Sequence, residues 1–125
     1  MARILIIDDS EDLRALLNVQ LSREGHNPEM ASDGDEGLTR CAEEAFDLVL
    51  LDIWMPKVDG ITALKALRET QPDLPVIVMS GGSNRAPLEV SMALAETHGA
   101  EAVLFKPFSR EELLDRIDEA LTKVS

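Results

Sequence analysis

The sequence predicts an α/β fold in which helices cover both faces of a five-stranded parallel sheet. Short apolar runs alternate with amphipathic stretches, and this alternation occurs five times. Four of the five predicted strands are wholly apolar and end at a polar or charged residue. Strands that are apolar at every position are typical of parallel sheets covered on both faces. Strand–helix alternation also implies right-handed crossovers.

The predicted strands are short and unequal in strength. The four wholly apolar runs cover residues 4–7, 48–51, 76–79 and 103–105. Residues 26–31, which come second along the chain, are a weaker candidate because Asn27, Pro28 and Glu29 are poor sheet formers. We therefore expect this strand to lie at an edge of the sheet.

Apolar residues at helical spacing predict five helices. The stripes are Leu13, Leu16, Leu17 and Leu21; Leu38, Cys41, Ala42 and Ala45; Ile61, Leu64 and Leu67; Leu88, Met92 and Ala95; and Leu113, Ile117, Ala120 and Leu121. We interpret all five as core-facing, with Cys41 as a buried small hydrophobe. Stop signals at Gly25, Pro72 and Gly99 end three helices, and Ser109 with Glu112 predicts a capping box.

Composition indicates a cytoplasmic single-domain protein. The 125 residues fit one domain over 1–125, and the last predicted helix runs almost to the end, so we expect no separate effector domain. The 24 acidic and 12 basic side chains give a net charge of −12, which disfavours nucleic-acid binding. We see no run that could span a membrane and no signal peptide at the start.

The residues at the strand ends predict a site. Ligands of such sheets bind beyond the carboxyl ends of the strands, where this chain places Asp8, Asp9, Asp52, Ser80 and Lys106. Clustered carboxylates need a counter-charge, and oxygen-only ligands favour Mg²⁺, with Mn²⁺ as a substitute. One aspartate could then form an aspartyl-phosphate, whose oxygens the hydroxyl and the ammonium would hold. Each residue alone would be an ordinary surface or turn residue; the joint pattern predicts the site.

In these motifs the sequence resembles the receiver domains of bacterial two-component response regulators over essentially its whole length. The resemblance implies a flavodoxin-like (βα)5 fold with strand order 2-1-3-4-5. The matching pieces are Ile6-Ile7-Asp8-Asp9-Ser10, Leu50-Leu51-Asp52-Ile53-Trp54-Met55-Pro56 with Asp59-Gly60, Val78-Met79-Ser80-Gly81, and Phe105-Lys106-Pro107-Phe108.

The resemblance also implies the acceptor and metal ligands. Asp52 matches the phosphoacceptor and a metal ligand. Asp9 matches the direct Mg²⁺ ligand, and Asp8 matches the acid that acts largely through metal-bound water. The backbone carbonyl of Trp54 is expected to complete the protein ligands.

The switch residues follow from the same resemblance. Ser80 matches the hydroxyl that closes on the phosphoryl group, and Lys106 matches the family's lysine. The bond between Lys106 and Pro107 is expected to be cis, which has a modest intrinsic cost before proline.

This sequence departs from the commonest receiver pattern in three places. Val103 stands where many receivers carry Tyr or Phe, so signal output is expected to rest on backbone and helix movement. The stretch from Ser80 to Lys106 is longer than usual, and residues 81–87, which include Gly82, would absorb the excess as a loop. Trp54 is a large side chain beside the expected metal ligand.

The function implied is a phosphorylation-dependent signalling switch and not an enzyme acting on external substrates. It would catalyse its own Mg²⁺-dependent phosphorylation and dephosphorylation. The phosphoryl group would come from a sensor histidine kinase or a histidine phosphotransfer protein. The fourth helix, fifth strand and fifth helix would pass the signal to another protein. A phosphorelay shuttle, a chemotaxis-type regulator and a phosphate sink all fit.

Three other functions fit parts of the sequence. A phosphatase of the haloacid-dehalogenase type would carry a second Asp two residues after the nucleophile, where this chain has Trp54. Such a phosphatase would also have a cap domain to hold the substrate, and we expect none here. A flavin mononucleotide module would have its phosphate repelled by Asp8 and Asp9. A pseudo-receiver that only binds has no need of the full acid–hydroxyl–lysine set.

Replacing Trp54 with Asn or Ala tests the expected role of this side chain. We expect it to cover part of the phosphoryl site and to control the access of hydrolytic water. The dephosphorylation rate should therefore change in both variants, as measured by loss of phosphoprotein over time. An unchanged dephosphorylation rate would contradict the expectation that Trp54 controls the access of water.

Overall fold

The computed structural model is a parallel five-stranded sheet with helices packed against it, and it describes residues 2–53, 60–81, 93 and 96–124. The elements are β1 (Arg3–Ile7), α1 (Glu11–Arg23), β2 (Asn27–Ala31), α2 (Gly34–Glu43), β3 (Leu48–Asp52), α3 (Gly60–Thr70), β4 (Val76–Gly81), β5 (Ala102–Lys106) and α4 (Arg110–Val124). Helix α4 corresponds to the fifth predicted helix.

The order of the strands is β2-β1-β3-β4-β5, and all neighbouring strands are parallel. This confirms the predicted fold and places the weak strand β2 at an edge. The register pairs Ile7 with Leu51 and Ser80 with Phe105, near the carboxyl ends of four strands. The residues that follow these positions therefore meet at one edge of the sheet.

Both faces of the three central strands are buried, which explains why β1, β3 and β4 are almost wholly apolar. Successive side chains of a strand point to opposite faces. Ile4 and Ile6 of β1 lie in the core on one side, and Leu5 and Ile7 lie in the core on the other. The first core includes residues of α1 and α4, and the second includes residues of α2 and α3.

Helix α1 corrects one predicted core position. Leu17 and Leu21 are fully buried, but Leu16 is 52% exposed. Consecutive residues lie about 100° apart around an α-helix, so a side chain next to Leu17 is turned well away from the face that Leu17 buries. The prediction that Leu16 belongs to the core was wrong.

Helix α2 also differs from the predicted stripe. Its buried residues are Gly34, Gly37 and Cys41, and a Cβ on Gly37 would lie 2.4 Å from Cδ1 of Ile7. The helix thus packs its glycine face directly on β1. This rotation leaves Ala42 exposed, and the helix ends at Glu43, before the predicted Ala45, which is exposed as well.

The predicted capping box and the predicted glycine stop signals are confirmed. In the capping box the Ser109 hydroxyl accepts from the backbone N–H of Glu112 at 3.0 Å, and the Glu112 carboxylate accepts from the N–H of Ser109 at 3.3 Å. Gly25 and Gly99 follow helical residues with φ of 86° and 88°.

The prediction that Cys41 is a buried core residue is confirmed. Its thiol is free, and burial raises the pKa of the thiol to about 11, as expected of an unreactive cysteine.

Two predicted segments are not covered. Most of the predicted fourth helix, including Leu88 and Met92, and residues 82–87 of the predicted loop lie outside the described residues. Among the helices described, none is long and apolar enough to cross a membrane.

Gly60 brings the start of α3 against the acidic end of β3. A Cβ at this position would lie 2.2 Å from the Cα of Ile53 and 2.4 Å from the backbone oxygen of Asp52. Both neighbours are backbone atoms at the end of the central strand β3, on Asp52 and on the residue that follows it, so they cannot easily move away.

Replacing Gly60 with Ala should therefore lower the free energy of unfolding by about 3 kcal/mol, the upper part of the usual range for overpacking. Urea denaturation measures this loss. Lys65→Ala, on the exposed side of the same helix, is the matched control and should stay within about 0.5 kcal/mol of the parent. Equal stability of the two variants would contradict the close packing described.

Candidate functional site

Four strands deliver the predicted site residues to one edge of the sheet. Asp8 follows β1, Asp52 ends β3, Ser80 lies next to last in β4 and Lys106 ends β5. Asp8 and Ser80 are fully buried and Asp52 is 3% exposed, whereas Asp9 is exposed. The structure thus brings together side chains that are nearly a hundred residues apart in the chain.

The acidic residues form a compact group. Ligand oxygens of Asp8, Asp9 and Asp52 all lie within 4.8 Å of one another. Carboxylate oxygens suit a hard cation such as Mg²⁺, which typically binds one or two carboxylates and keeps several waters. The exposed Asp9 leaves the group open to solvent on one side. The donor set and its spacing therefore fit the predicted magnesium site.

Lys106 is the cation that the described residues place in this group. Its Nζ lies 2.8 Å from Oδ2 of Asp8 and 3.6 Å from Oδ2 of Asp52. Charges removed from water need close partners of opposite sign. One ammonium against three carboxylates leaves negative charge in excess, which favours a divalent cation.

Asp8 is held by three hydrogen bonds in addition to its ion pair with Lys106. Its Oδ1 accepts from the backbone N–H of Ser10 at 2.8 Å, and its backbone N–H donates to Ala31 at 3.2 Å. Its backbone oxygen accepts from Nη1 of Arg14 at 2.7 Å. Both carboxylate oxygens of Asp8 are thus engaged. Arg14 was not predicted from the sequence, because a bond from a side chain to a backbone oxygen leaves little trace in the pattern of residues.

Ser80 and its surroundings lie beside Asp52. The register pairs Asp52 with Met79, so Ser80 is one residue further toward the carboxyl edge. Val103 is partly buried and packs against the core on the α2 and α3 side. The Lys106–Pro107 bond is cis, the form that the resemblance implies.

Two predicted modulating residues lie outside the described residues. These are Trp54, whose backbone carbonyl was expected to bind the metal, and Gly82. The division of roles between Asp8 and Asp9 also stays a prediction.

Comparison with known proteins gives the family. A model of the response regulator receiver domain matches residues 4–118. The response regulator MprA of Mycobacterium sp. (strain KMS) is 39% identical over 98% of this chain and 52% of its own length. The transcriptional regulatory protein CpxR of Escherichia coli (strain K12) is 39% identical over 98% of this chain and 50% of its own. A CheY-like receiver domain of Methanospirillum hungatei JF-1 superposes with a TM-score of 0.91 and 32% identity over 99% of this chain and 96% of its own.

The chain belongs to the response regulator receiver domain family.

Membership in the family favours the receiver over the phosphatase and flavin alternatives, since the match covers nearly all of the receiver fold. The chain spans about half the length of the curated relatives it matches. One of these relatives is named as a transcriptional regulator. The absence of nucleic-acid binding, expected from the charge of these 125 residues, therefore stays a prediction.

Replacing Asp52 with Asn tests whether the carboxylates of the receiver repel one another. In metal-free buffer the variant should be more stable by about 1 kcal/mol, which raises Tm by about 4 °C, since Lys106 keeps its closer partner Asp8. Addition of Mg²⁺ should raise the Tm of the parent more than that of the variant, because a ligand stabilises the state that binds it.

Asp115→Asn, which removes an exposed acid from α4, is the matched control and should show neither effect. A metal-free Asp52→Asn protein that is less stable than the parent would mean that the group is not under net repulsion.

Proposed function

We propose that this receiver domain is a phosphorylation switch that accepts a phosphoryl group on Asp52. The donor would be a phosphohistidine of a sensor histidine kinase or a histidine phosphotransfer protein. The observation that supports this most is the convergence of three carboxylates within 4.8 Å beside the Lys106 ammonium. Membership in the receiver family points the same way.

In the proposed transfer, a carboxylate oxygen of Asp52 attacks the phosphorus and forms a P–O bond. The P–N bond to the donor imidazole breaks, its electron pair stays on nitrogen, and a proton from solvent completes the neutral histidine. Asp52 suits this role because it is held at a strand end and is 3% exposed, close to the open side of the site. A positioned carboxylate lowers the barrier by orientation.

The charged partners of Asp52 would then rearrange. When bound, Mg²⁺ supplies positive charge to the carboxylates and to the incoming phosphoryl oxygens. Lys106, which contacts both Asp8 and Asp52, is within reach to shift its ammonium to a phosphoryl oxygen. Asp8 would keep its bond from the N–H of Ser10. The Ser80 hydroxyl would donate to another phosphoryl oxygen.

This rearrangement is the basis of the proposed switch. Ser80 and Lys106 lie on the neighbouring strands β4 and β5, which pair through Gly81 and Lys106. A phosphoryl group that binds both residues favours one arrangement of these strand ends. We propose that the region of the predicted fourth helix, β5 and α4 carries the change to a partner protein, without an aromatic side chain at Val103.

Several wider predictions belong to the same proposal. The domain would catalyse its own Mg²⁺-dependent phosphorylation and dephosphorylation, with Mn²⁺ as a substitute metal. A cytoplasmic location fits a receiver whose donor is a histidine kinase. That residues 1–125 signal without an effector domain stays a prediction, since the curated relatives extend over about twice the matched length.

Intact mass measurement after incubation with a small-molecule phosphodonor tests the proposed function. With Mg²⁺ the protein should gain the mass of one phosphoryl group, and without Mg²⁺ the gain should be much smaller. Hydroxylamine should remove the group, because it cleaves acyl phosphates.

Asp52→Asn should take up no phosphoryl group, whereas Asp12→Asn, at an exposed acid in the first turn of α1, should behave like the parent. Mg²⁺ binding without any mass gain would support a pseudo-receiver that acts by binding alone and would refute the proposed transfer.

A further inference from the structure

We infer that Arg14 is a positioning residue, which sets the direction in which Asp8 and Asp9 face the cation. This inference rests on the proposed function. Arg14 lies in the second turn of α1, and its Nη1 donates to the backbone oxygen of Asp8 at 2.7 Å in a partly buried contact. A hydrogen bond from a charged donor is stronger than one between neutral groups.

The bonded oxygen belongs to the peptide group that joins Asp8 to Asp9. A peptide group is rigid and planar, so anchoring its oxygen also fixes the nitrogen of the next residue. The direction of the Asp9 side chain depends strongly on this backbone, since Asp9 is exposed and is not fixed by burial in the core. The guanidinium of Arg14 thus orients a carboxylate that it does not touch.

The contact also closes the turn between β1 and α1. The N–H of Ser10 donates to Oδ1 of Asp8 at 2.8 Å, and the Ser10 hydroxyl accepts from the N–H of Leu13 at 3.2 Å. The backbone N–H of Arg14 donates to the Ser10 oxygen at 3.0 Å. Arg14 therefore binds the turn twice, through its backbone at Ser10 and through its side chain at Asp8.

The helix dipole does not account for a cation at this place. The positive end of the helix dipole lies at the N-terminus, where acids are favourable and cations are not. Glu11 and Asp12 follow this rule in the first turn of α1, and Arg23 follows it in the last turn. Arg14, one turn further along, gains nothing from the dipole, and its contact with Asp8 is the interaction that favours a cation there.

If Arg14 is removed, a positioning role and a purely electrostatic role predict opposite changes in the affinity for Mg²⁺. If only its charge mattered, removing a cation near the acidic group would strengthen Mg²⁺ binding. If it positions the turn, removing it loosens the ligands and weakens Mg²⁺ binding. Loss of a residue that orients metal ligands typically costs at least about tenfold in metal affinity.

The test is calorimetric titration of Mg²⁺ into the parent, Arg14→Met, Arg14→Lys and the control Arg23→Met, which removes an exposed arginine from the far end of α1. Arg14→Met should raise the Kd for Mg²⁺ about tenfold. Arg14→Lys, which keeps a donor for the same oxygen, should recover part of the affinity. Arg23→Met should match the parent.

Amide hydrogen exchange in metal-free protein is the second measurement. Exchange at Asp9 and Ser10 should be faster in Arg14→Met than in the parent, and Arg14→Lys provides the comparison if the Met variant does not fold. Unchanged exchange in a folded variant, or Mg²⁺ affinity equal to or tighter than that of the parent, would overturn the inference. If the parent protein itself takes up no phosphoryl group in the mass measurement, that result would instead overturn the proposed function.

Discussion

Among the residues that the structure describes, the site depends on the crowding of three carboxylates around one ammonium. Asp8, Asp9 and Asp52 place oxygens within 4.8 Å of one another, and Lys106 contacts two of them. Like charges at this distance repel, and burial makes the repulsion harder for water to relieve. The domain therefore holds a group that is electrostatically incomplete, and a cation and a phosphoryl group are what would complete it.

The fold makes this crowding possible by keeping the interiors of the central strands β1, β3 and β4 free of charge. Helices cover both faces of these three strands, so their interiors are apolar and their polar residues lie at the ends. Because all strands run in parallel, residues at the carboxyl ends of four of them meet at one edge. The close approach of α3 at Gly60 and of the turn held by Arg14 fixes the backbone on either side of the acidic group.

Much of this arrangement could be predicted from the sequence. The apolar strands and their order, the edge position of β2 and the convergence of the strand-end residues followed from periodicity and family resemblance. Leu16 was wrongly placed in the core, because a stripe of apolar residues does not show which of them faces the sheet. Ala42 was misplaced for a related reason, since the contact of Gly37 with Ile7 sets the rotation of α2.

The contacts that orient the site were harder to predict. The bond from Arg14 to the Asp8 carbonyl joins a side chain to a backbone atom, and such pairs leave little trace in sequence patterns. The Lys106 ammonium lies 2.8 Å from Asp8 and 3.6 Å from Asp52, and packing, which the sequence does not show, determines this difference.

A crystal structure of the domain with Mn²⁺ and beryllofluoride, a phosphoryl analogue, would show whether the acidic group binds a metal and a phosphoryl group together. Anomalous scattering would locate the metal. We expect the metal to bind oxygens of Asp9 and Asp52 at about 2.1 Å. We expect beryllofluoride on Asp52, and the Lys106 ammonium to have moved from Asp8 to a fluoride. A metal bound elsewhere, or Lys106 still paired with Asp8 beside a bound analogue, would contradict it.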